Sequence, residues 1–215
     1  MDRSLAPHIH AALHGRDLIV LDLTSGAYEL FAGLGDQVSL SADRRVLRSA
    51  AADILGELDD LGLLAVQTTA GGRPTPRLPT RTALFAEPPP LPFSARLWVG
   101  RGWLGMLTRY HGRSFQDLLD AVRDRHLTPT RRDAVDLPHK AAVFDRLSVW
   151  LPFQGDCLYR CFMLLRLLGR DGAAVDWVFG VRTWPFLAHC WLQVGDLCLT
   201  DDAGRLRAFS PILVA

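Results

Sequence analysis

The stretch Leu151-Pro-Phe-Gln-Gly-Asp-Cys-Leu-Tyr-Arg-Cys-Phe-Met-Leu-Leu-Arg-Leu-Leu-Gly169 decides the reading of this chain. Its first six residues, to Asp156, are irregular: a proline, a glycine and an aspartate break any periodic pattern. From Cys157 to Leu168 the pattern becomes helical, with Leu158, Phe162, Leu165 and Leu168 recurring at three- and four-residue steps and Gly169 or Gly172 as the stop. Asp156 is placed to cap that helix, and Cys157 opens it. A cysteine there meets unpaired backbone N–H groups and the positive end of the helix dipole, and both favour thiolate over thiol. Against this stands the ordinary fate of a free cysteine, a small inert hydrophobe in a core.

Working outward, three strands are predicted after the helix: 174–182, 186–194 and 197–201. His189 lies on the second and Asp201 on the third. Alternation puts His189 and Trp191 on one face of their strand and Cys190 on the other, away from His189. A lone histidine is more often bonded to backbone than catalytic, so the partners matter. If Val194-Gly195-Asp196 is a three-residue loop, Gln193 opposes Leu197 and His189 opposes Asp201. A two-residue loop at Gly195-Asp196 sets His189 opposite Asp202 instead. The two aspartates are rivals on register alone. Gln154, three residues before Cys157, could join the Cys157 N–H in holding an oxyanion, although a polar loop residue is the plainer reading.

Before the helix the C-terminal half carries further helical patterns: Leu97 to Tyr110, interrupted by three glycines; Phe115 to Arg125 behind Ser114; and Pro138 to Trp150. Helices followed by an antiparallel sheet is an α+β order. The N-terminal half reads as strands at 8–13, 18–23 and 27–31. A helix is then predicted from Arg44 to Leu61, capped by Ser41, with Leu47, Ala51, Ile54, Leu58 and Leu61 on one stripe. Leu63 to Gln67 is a short closing strand. Between the halves, residues 68–95 read as a Pro/Gly-rich linker, from Gly71-Gly-Arg-Pro-Thr-Pro76 to Glu87-Pro-Pro-Pro-Leu-Pro92, partly extended and exposed. The expected organisation is thus 1–67, a small sheet on a helix as in winged-helix modules; the linker; and 96–215.

Composition narrows the function classes. The 215 residues are 49% hydrophobic, and 24 basic against 23 acidic residues leave a formal charge of +1. That balance gives no support for a nucleic-acid partner. No run of 18 apolar residues marks a membrane span, and the N-terminus lacks the apolar core of a signal peptide. A cytoplasmic protein is expected, with Cys157, Cys161, Cys190 and Cys198 as free thiols. A zinc site among the four lacks any paired C-x-x-C knuckle. His8, His10 and His14 are thin grounds for a metal, and Gly100-Arg-Gly-Trp103 lacks a phosphate-loop setting. No metal and no cofactor are expected.

Cysteine opening a helix, then histidine and aspartate on successive strands, is the chain order of the papain-like and transglutaminase-like thiol enzymes. The motifs Gly155-Asp-Cys-Leu-Tyr-Arg160, Leu164-Leu-Arg-Leu-Leu-Gly169, Phe179-Gly-Val-Arg182, Ala188-His-Cys-Trp-Leu192 and Leu199-Thr-Asp201 together resemble the lasso-peptide biosynthesis B proteins. Cys190 stands where that family's H-A-W motif has alanine. The stretch Leu18-Ile-Val-Leu-Asp-Leu-Thr-Ser-Gly-Ala-Tyr-Glu-Leu30 resembles their leader-recognition element. The resemblance implies a winged-helix-like leader-binding module fused to a papain/transglutaminase-like cysteine protease domain. It implies a catalytic set of Cys157, His189 and Asp201, the spacing favouring Asp201 over Asp202. It also implies leader binding by strand addition along Ala27, Tyr28, Glu29, Leu30 and Phe31. The implied partners are a precursor leader peptide and an asparagine-synthetase-like lasso cyclase, which uses the ATP. Other readings are a different thiol acyl transferase with an amine acceptor, and a leader-binding scaffold without an active thiol.

Overall fold

The computed structural model describes residues 1–65, 77–83, 90–123, 136–152, 155–169 and 174–215. Elements run in the order β1 (Asp2–Ser4), β2 (Ile9–His14), β3 (Asp17–Asp22), β4 (Tyr28–Phe31), β5 (Val38–Leu40), β6 (Val46–Ser49), α1 (Ala52–Asp60) and β7 (Arg81–Thr82). There follow α2 (Phe93–Arg109), α3 (Phe115–Arg123), α4 (Leu137–Ser148), α5 (Cys157–Leu168), β8 (Asp176–Arg182), β9 (Leu187–Val194), β10 (Leu197–Cys198), α6 (Ala203–Leu206) and β11 (Ser210–Val214). Helix and sheet are mixed, as the α+β reading expects.

By contacts the chain forms two units. The first is Met1–Arg77 with Phe179–Ala188 and Ala208–Val214; the second is Leu78–Val178 with His189–Arg207 and Ala215. The first unit holds two three-stranded sheets, ordered β2-β3-β4 and β1-β6-β5, which share a core with α1. Leu5, Ile9, Leu18, Val20, Leu47, Leu55 and Leu58 fill the core of this unit. Strand β4 is the end strand of its sheet and pairs antiparallel with β3, Val20 opposite Glu29. Within the same unit the β8–β9 turn is tied down by the Trp184 indole, which donates to Asp17 at 2.8 Å, and by a tilted contact of Phe186 on Tyr28 with ring centroids 5.9 Å apart.

The helix predicted from Arg44 to Leu61 is a correction. Helix begins only at Ala52, and Ser41 caps nothing helical. The Ser41 carbonyl accepts from the Arg44 N–H at 2.8 Å, and its hydroxyl oxygen accepts from the Arg45 and Val46 N–H groups. Arg44 takes a positive φ of 56°. Ser41 to Arg44 is therefore the turn of a β5–β6 hairpin, because a short hydroxyl competes for local backbone donors as readily at a turn as at a helix start. The apparent stripe runs from a strand residue, Leu47, into the helix, and its last member, Leu61, is exposed.

In the second unit α2, α4 and α5 pack together and α3 lies on α5. Gly102 explains one of the glycines interrupting α2: a Cβ there would come within 2.5 Å of the Leu167 side chain on α5, so the close helix crossing requires its absence. The five-stranded sheet has the order β11-β8-β9-β10-β7. Its edge strand β7 comes from the segment expected to be linker, pairing parallel to β10 through Arg81 and Thr82. Pro and Gly density excludes an interior strand but not an edge. Gly71–Pro76 and residues 87–89 of that segment lie outside the described residues, as do 66–67 of the expected closing strand. Leu64 makes an isolated bridge with Leu5.

Candidate active site

Helix α5 begins where the sequence places it. Asp156 caps it, its carboxylate accepting from the Tyr159 N–H at 2.9 Å. Such a cap contributes about 1 kcal/mol and fixes where the first helical residue, Cys157, emerges. Gly155 has a φ of +66°, and a Cβ on it would lie 2.5 Å from the Tyr159 side chain. Both facts demand glycine. We expect Gly155→Ala to destabilise the fold by about 1–3 kcal/mol and to slow alkylation of Cys157 by displacing the helix start. Thermal unfolding with iodoacetamide kinetics checks both; unchanged values would show that the turn has no part in presenting the thiol.

A cavity of about 330 Å³ lies within the second unit. Cys157, Cys161, His189, Cys190, Asp201 and Arg205 are among the residues that line it. His189 Nε2 lies 2.6 Å from Asp201 Oδ2. The other Asp201 oxygen accepts from the Asp202 N–H at 2.7 Å and has Arg205 at 3.7 Å. The Trp191 ring lies stacked beside His189 at 6.4 Å, on the same strand face as alternation requires, and is fully buried.

These contacts set the charges. Cys157 is held down to about 4, first by hydrogen bonding from the Cys190 thiol, then by His189 and by the Cys190 N–H, against the opposing effect of burial. His189 is pushed up to about 9, first by Asp201 and then by Cys157. Asp201 is held below the usual carboxylate range, chiefly by His189. The resting state is thus thiolate, imidazolium and carboxylate. With Nε2 engaged by Asp201, Nδ1 is the ring nitrogen left for the sulfur. Burial keeps two further thiols protonated: Cys198 is raised to about 11, and Cys190 stands well above the ordinary thiol value.

The expected outcome for labelling follows by sign. A thiol held at about 4 is already thiolate at neutral pH, so the alkylation rate of Cys157 should fall only as pH drops through about 4. An unperturbed thiol would instead gain reactivity as pH rises through 9.0. Site-resolved mass spectrometry of iodoacetamide adducts across pH separates the two.

The β9–β10 loop, which the sequence left open between two and three residues, holds two: Val194 opposes Leu197 and Gln193 opposes Cys198. By ladder counting that register favours Asp202, yet Asp201 is the residue on His189. The ladder stops too early for counting to apply. Strand β10 ends at Cys198, a last backbone bond joins Leu199 to Leu192, and the chain bends before α6. Asp202 is occupied as the α6 cap, accepting from the Arg205 N–H at 3.0 Å.

Cys190, expected to face away, is part of the cavity. It does leave β9 on the face opposite His189. That face carries α5, where the Cys161 thiol donates to the Cys190 carbonyl at 3.6 Å, so the Cys157 sulfur at the helix start reaches both residues. Arg205 and Thr200 are cavity residues that sequence reasoning missed; Thr200 sits on the bend after β10 and Arg205 on the single turn of α6, both too short to carry a periodic signal. Gln154 lies outside the described residues. The expected leader-binding residues Ala27 to Phe31 lie in the first unit, on and just before β4. Among the described residues, no group of three or more His, Cys, Asp or Glu side chains is arranged to hold a metal ion, and no helix is long and apolar enough to cross a membrane.

A thiol at a helix start, beside a carboxylate-bound histidine on a strand, is the arrangement of a thiol acyl-transfer fold, and comparison with known families agrees. Residues 103–214 match the transglutaminase-like superfamily. This is just over half of the chain, and the chain belongs to that superfamily. A stretch of 55 residues is 38% identical to the microcin J25-processing protein McjB of Escherichia coli. The match spans 26% of this chain and 26% of that protein. No solved structure matches.

Proposed function

We propose that this protein is a leader peptidase of lasso-peptide biosynthesis, which binds the leader of a precursor peptide and cleaves the leader–core bond. The carrying observation is the Cys157–His189–Asp201 arrangement lining an open cavity in a transglutaminase-like domain. Similarity to a microcin-processing protein supports the choice of substrate.

In this reading Cys157 attacks the scissile carbonyl, and the tetrahedral oxyanion meets the Cys157 N–H at the helix start, with Gln154 as a second donor. The C–N bond breaks as the His189 imidazolium gives its proton to the departing core amine. Neutral His189 then takes a proton from water, which attacks the thioester and releases the leader as a carboxylate. Asp201 holds the imidazole orientation throughout. The freed amine is the group that an ATP-using, asparagine-synthetase-like cyclase would join to a side-chain carboxylate. The protein itself works in the cytoplasm and needs no metal or cofactor for these steps. Transglutamination differs only in the acceptor, an amine in place of water.

The sheet-and-helix module of the first unit acts as the winged-helix-like leader binder, the leader adding as a strand along Ala27 to Phe31 beside β4. The Asp22 N–H donates to the Ala27 carbonyl at 3.0 Å. In an antiparallel pair such bonded positions alternate, so Val20–Glu29 is bonded inward and Leu30 turns its N–H outward. Leu30→Pro removes that outward donor at a strand edge where proline is tolerated. The expected result is leader affinity weakened about tenfold, the worth of a lost hydrogen bond or two, with saturated turnover little changed. Isothermal titration of the full chain with a leader peptide tests it, because the first unit includes residues 179–188 and 208–214 and a fragment would lack them. Unaltered affinity would place recognition elsewhere.

The function itself is tested by incubating the purified protein with a lasso precursor peptide, such as that of microcin J25, with and without a lasso cyclase, and identifying products by mass. Leader and core fragments are expected; an amide-linked product without free leader would favour the transferase reading.

A further inference from the structure

Three of the four cysteines line one cavity: Cys157, Cys161 and Cys190. The proposed reaction uses only the first. Cys190 is 3% exposed and stands on β9 immediately after His189. It shares the cavity lining with Cys157, and its carbonyl accepts from the Cys161 thiol on the same helix at 3.6 Å, which holds this part of β9 against α5; it is also the first cause that holds the Cys157 thiol down. A thiolate facing an open cavity is the form of cysteine that peroxides oxidise, first to a sulfenic acid and then irreversibly to a sulfinic acid. A second thiol lining the same cavity is placed to intercept the first product.

We propose that Cys190 is a resolving thiol for Cys157, so that oxidation by a peroxide ends in a reversible Cys157–Cys190 disulfide rather than a destroyed nucleophile. In the first step the Cys157 thiolate attacks hydrogen peroxide, the O–O bond breaks, and sulfenic acid and hydroxide form. In the second the Cys190 sulfur displaces the sulfenic hydroxyl, the S–S bond forms, and the Cys190 proton leaves with that hydroxyl as water. A dithiol returns two electrons and two protons and restores both thiols.

Cys190 is favoured over Cys161 on geometry. Residues four apart on a helix project side by side, about 6 Å along the axis, and their Cβ vectors do not converge as a disulfide requires. Cys190 approaches from a different element, β9, and lines the same cavity as the target sulfur. Cys198 lies on β10 and is not among the cavity-lining residues. The inference needs only that Cys157 is an accessible thiolate; it does not depend on which acyl group the thiol attacks.

The test treats the full-length protein with a few equivalents of hydrogen peroxide, enough for the two oxidations that reach sulfinic acid, and reads intact mass, mapped cross-links and iodoacetamide labelling, none of which requires a peptide substrate. The wild type should lose about 2 Da, yield a Cys157–Cys190 cross-linked peptide, and regain Cys157 labelling with dithiothreitol. Cys190→Ser keeps a hydroxyl donor on the sulfur but cannot form the bond, and Cys190→Ala removes both. Each should instead gain about 32 Da at Cys157 and stay unlabelled after reduction. Near-ultraviolet circular dichroism identifies a variant that has not folded, and the wild-type cross-link map decides the matter without either. Sulfinic acid on wild-type Cys157 forming as fast as in Cys190→Ser, or a cross-link between any other pair, would overturn the proposal.

Discussion

Cys157→Ala is expected to abolish leader cleavage, with turnover falling by a factor on the order of 10⁵ or more, while leader affinity stays within about twofold. No other cysteine can take over. Cys190 and Cys198 are buried and held protonated, and Cys161 is buried one helical turn further in. The leader binds along β4 in the proposed mechanism, on the first unit, while Cys157 belongs to the second. Cleavage assays with titration calorimetry on the same preparation check the two halves of the expectation. A variant that loses both properties together would show that the thiol side also holds the leader.

The second large effect is expected at Asp201. Asp201→Asn leaves a side chain of the same shape but removes the charge that raises His189 and fixes its ring. Turnover should fall roughly 10²- to 10⁴-fold, as when a triad histidine loses its carboxylate. The high-pH limb of the cleavage profile, set in the wild type by His189 at about 9, should move down. The direction follows from the sign: an imidazolium without its carboxylate deprotonates at lower pH, so the acid needed for amine departure is lost earlier. Asp202→Asn should change turnover less than about twofold, because asparagine caps a helix nearly as well as aspartate. The pH dependence separates loss of the charge from a mere packing defect.

The contrast between these neighbouring aspartates shows what sequence could and could not supply. The span of helix α5, Cys157 to Leu168, was legible because a capping aspartate and an apolar stripe agreed on its start and last apolar residue, and of the two glycines offered as its stop the structure uses Gly169. Strands β8 and β9 were legible from their apolar runs. Register counting named the wrong aspartate once the loop proved to hold two residues. Cross-strand pairing ends at Cys198, and beyond it a bend and a cap decide where side chains go. The family resemblance pointed to Asp201 where period-two logic could not. Cys190 failed for a related reason. Alternation assigns faces of a strand correctly, but it does not say which face a helix will cover, and α5 covers the face that Cys190 shares. In the N-terminal half, Val46–Ser49 was absorbed into a helical stripe because four residues of alternation fit either period.

The most direct measurement of the central claim is cleavage of the precursor by the wild-type protein in water enriched in oxygen-18, followed by mass spectrometry of the products. A thioester at Cys157 resolved by water predicts a leader whose new C-terminal carboxylate carries the heavy oxygen and a core with a free N-terminal amine. It also predicts a trapped adduct of leader mass on Cys157 when the reaction is quenched in acid. Cleavage with the same products by the Cys157→Ala variant, or an adduct on any other residue, would contradict the account.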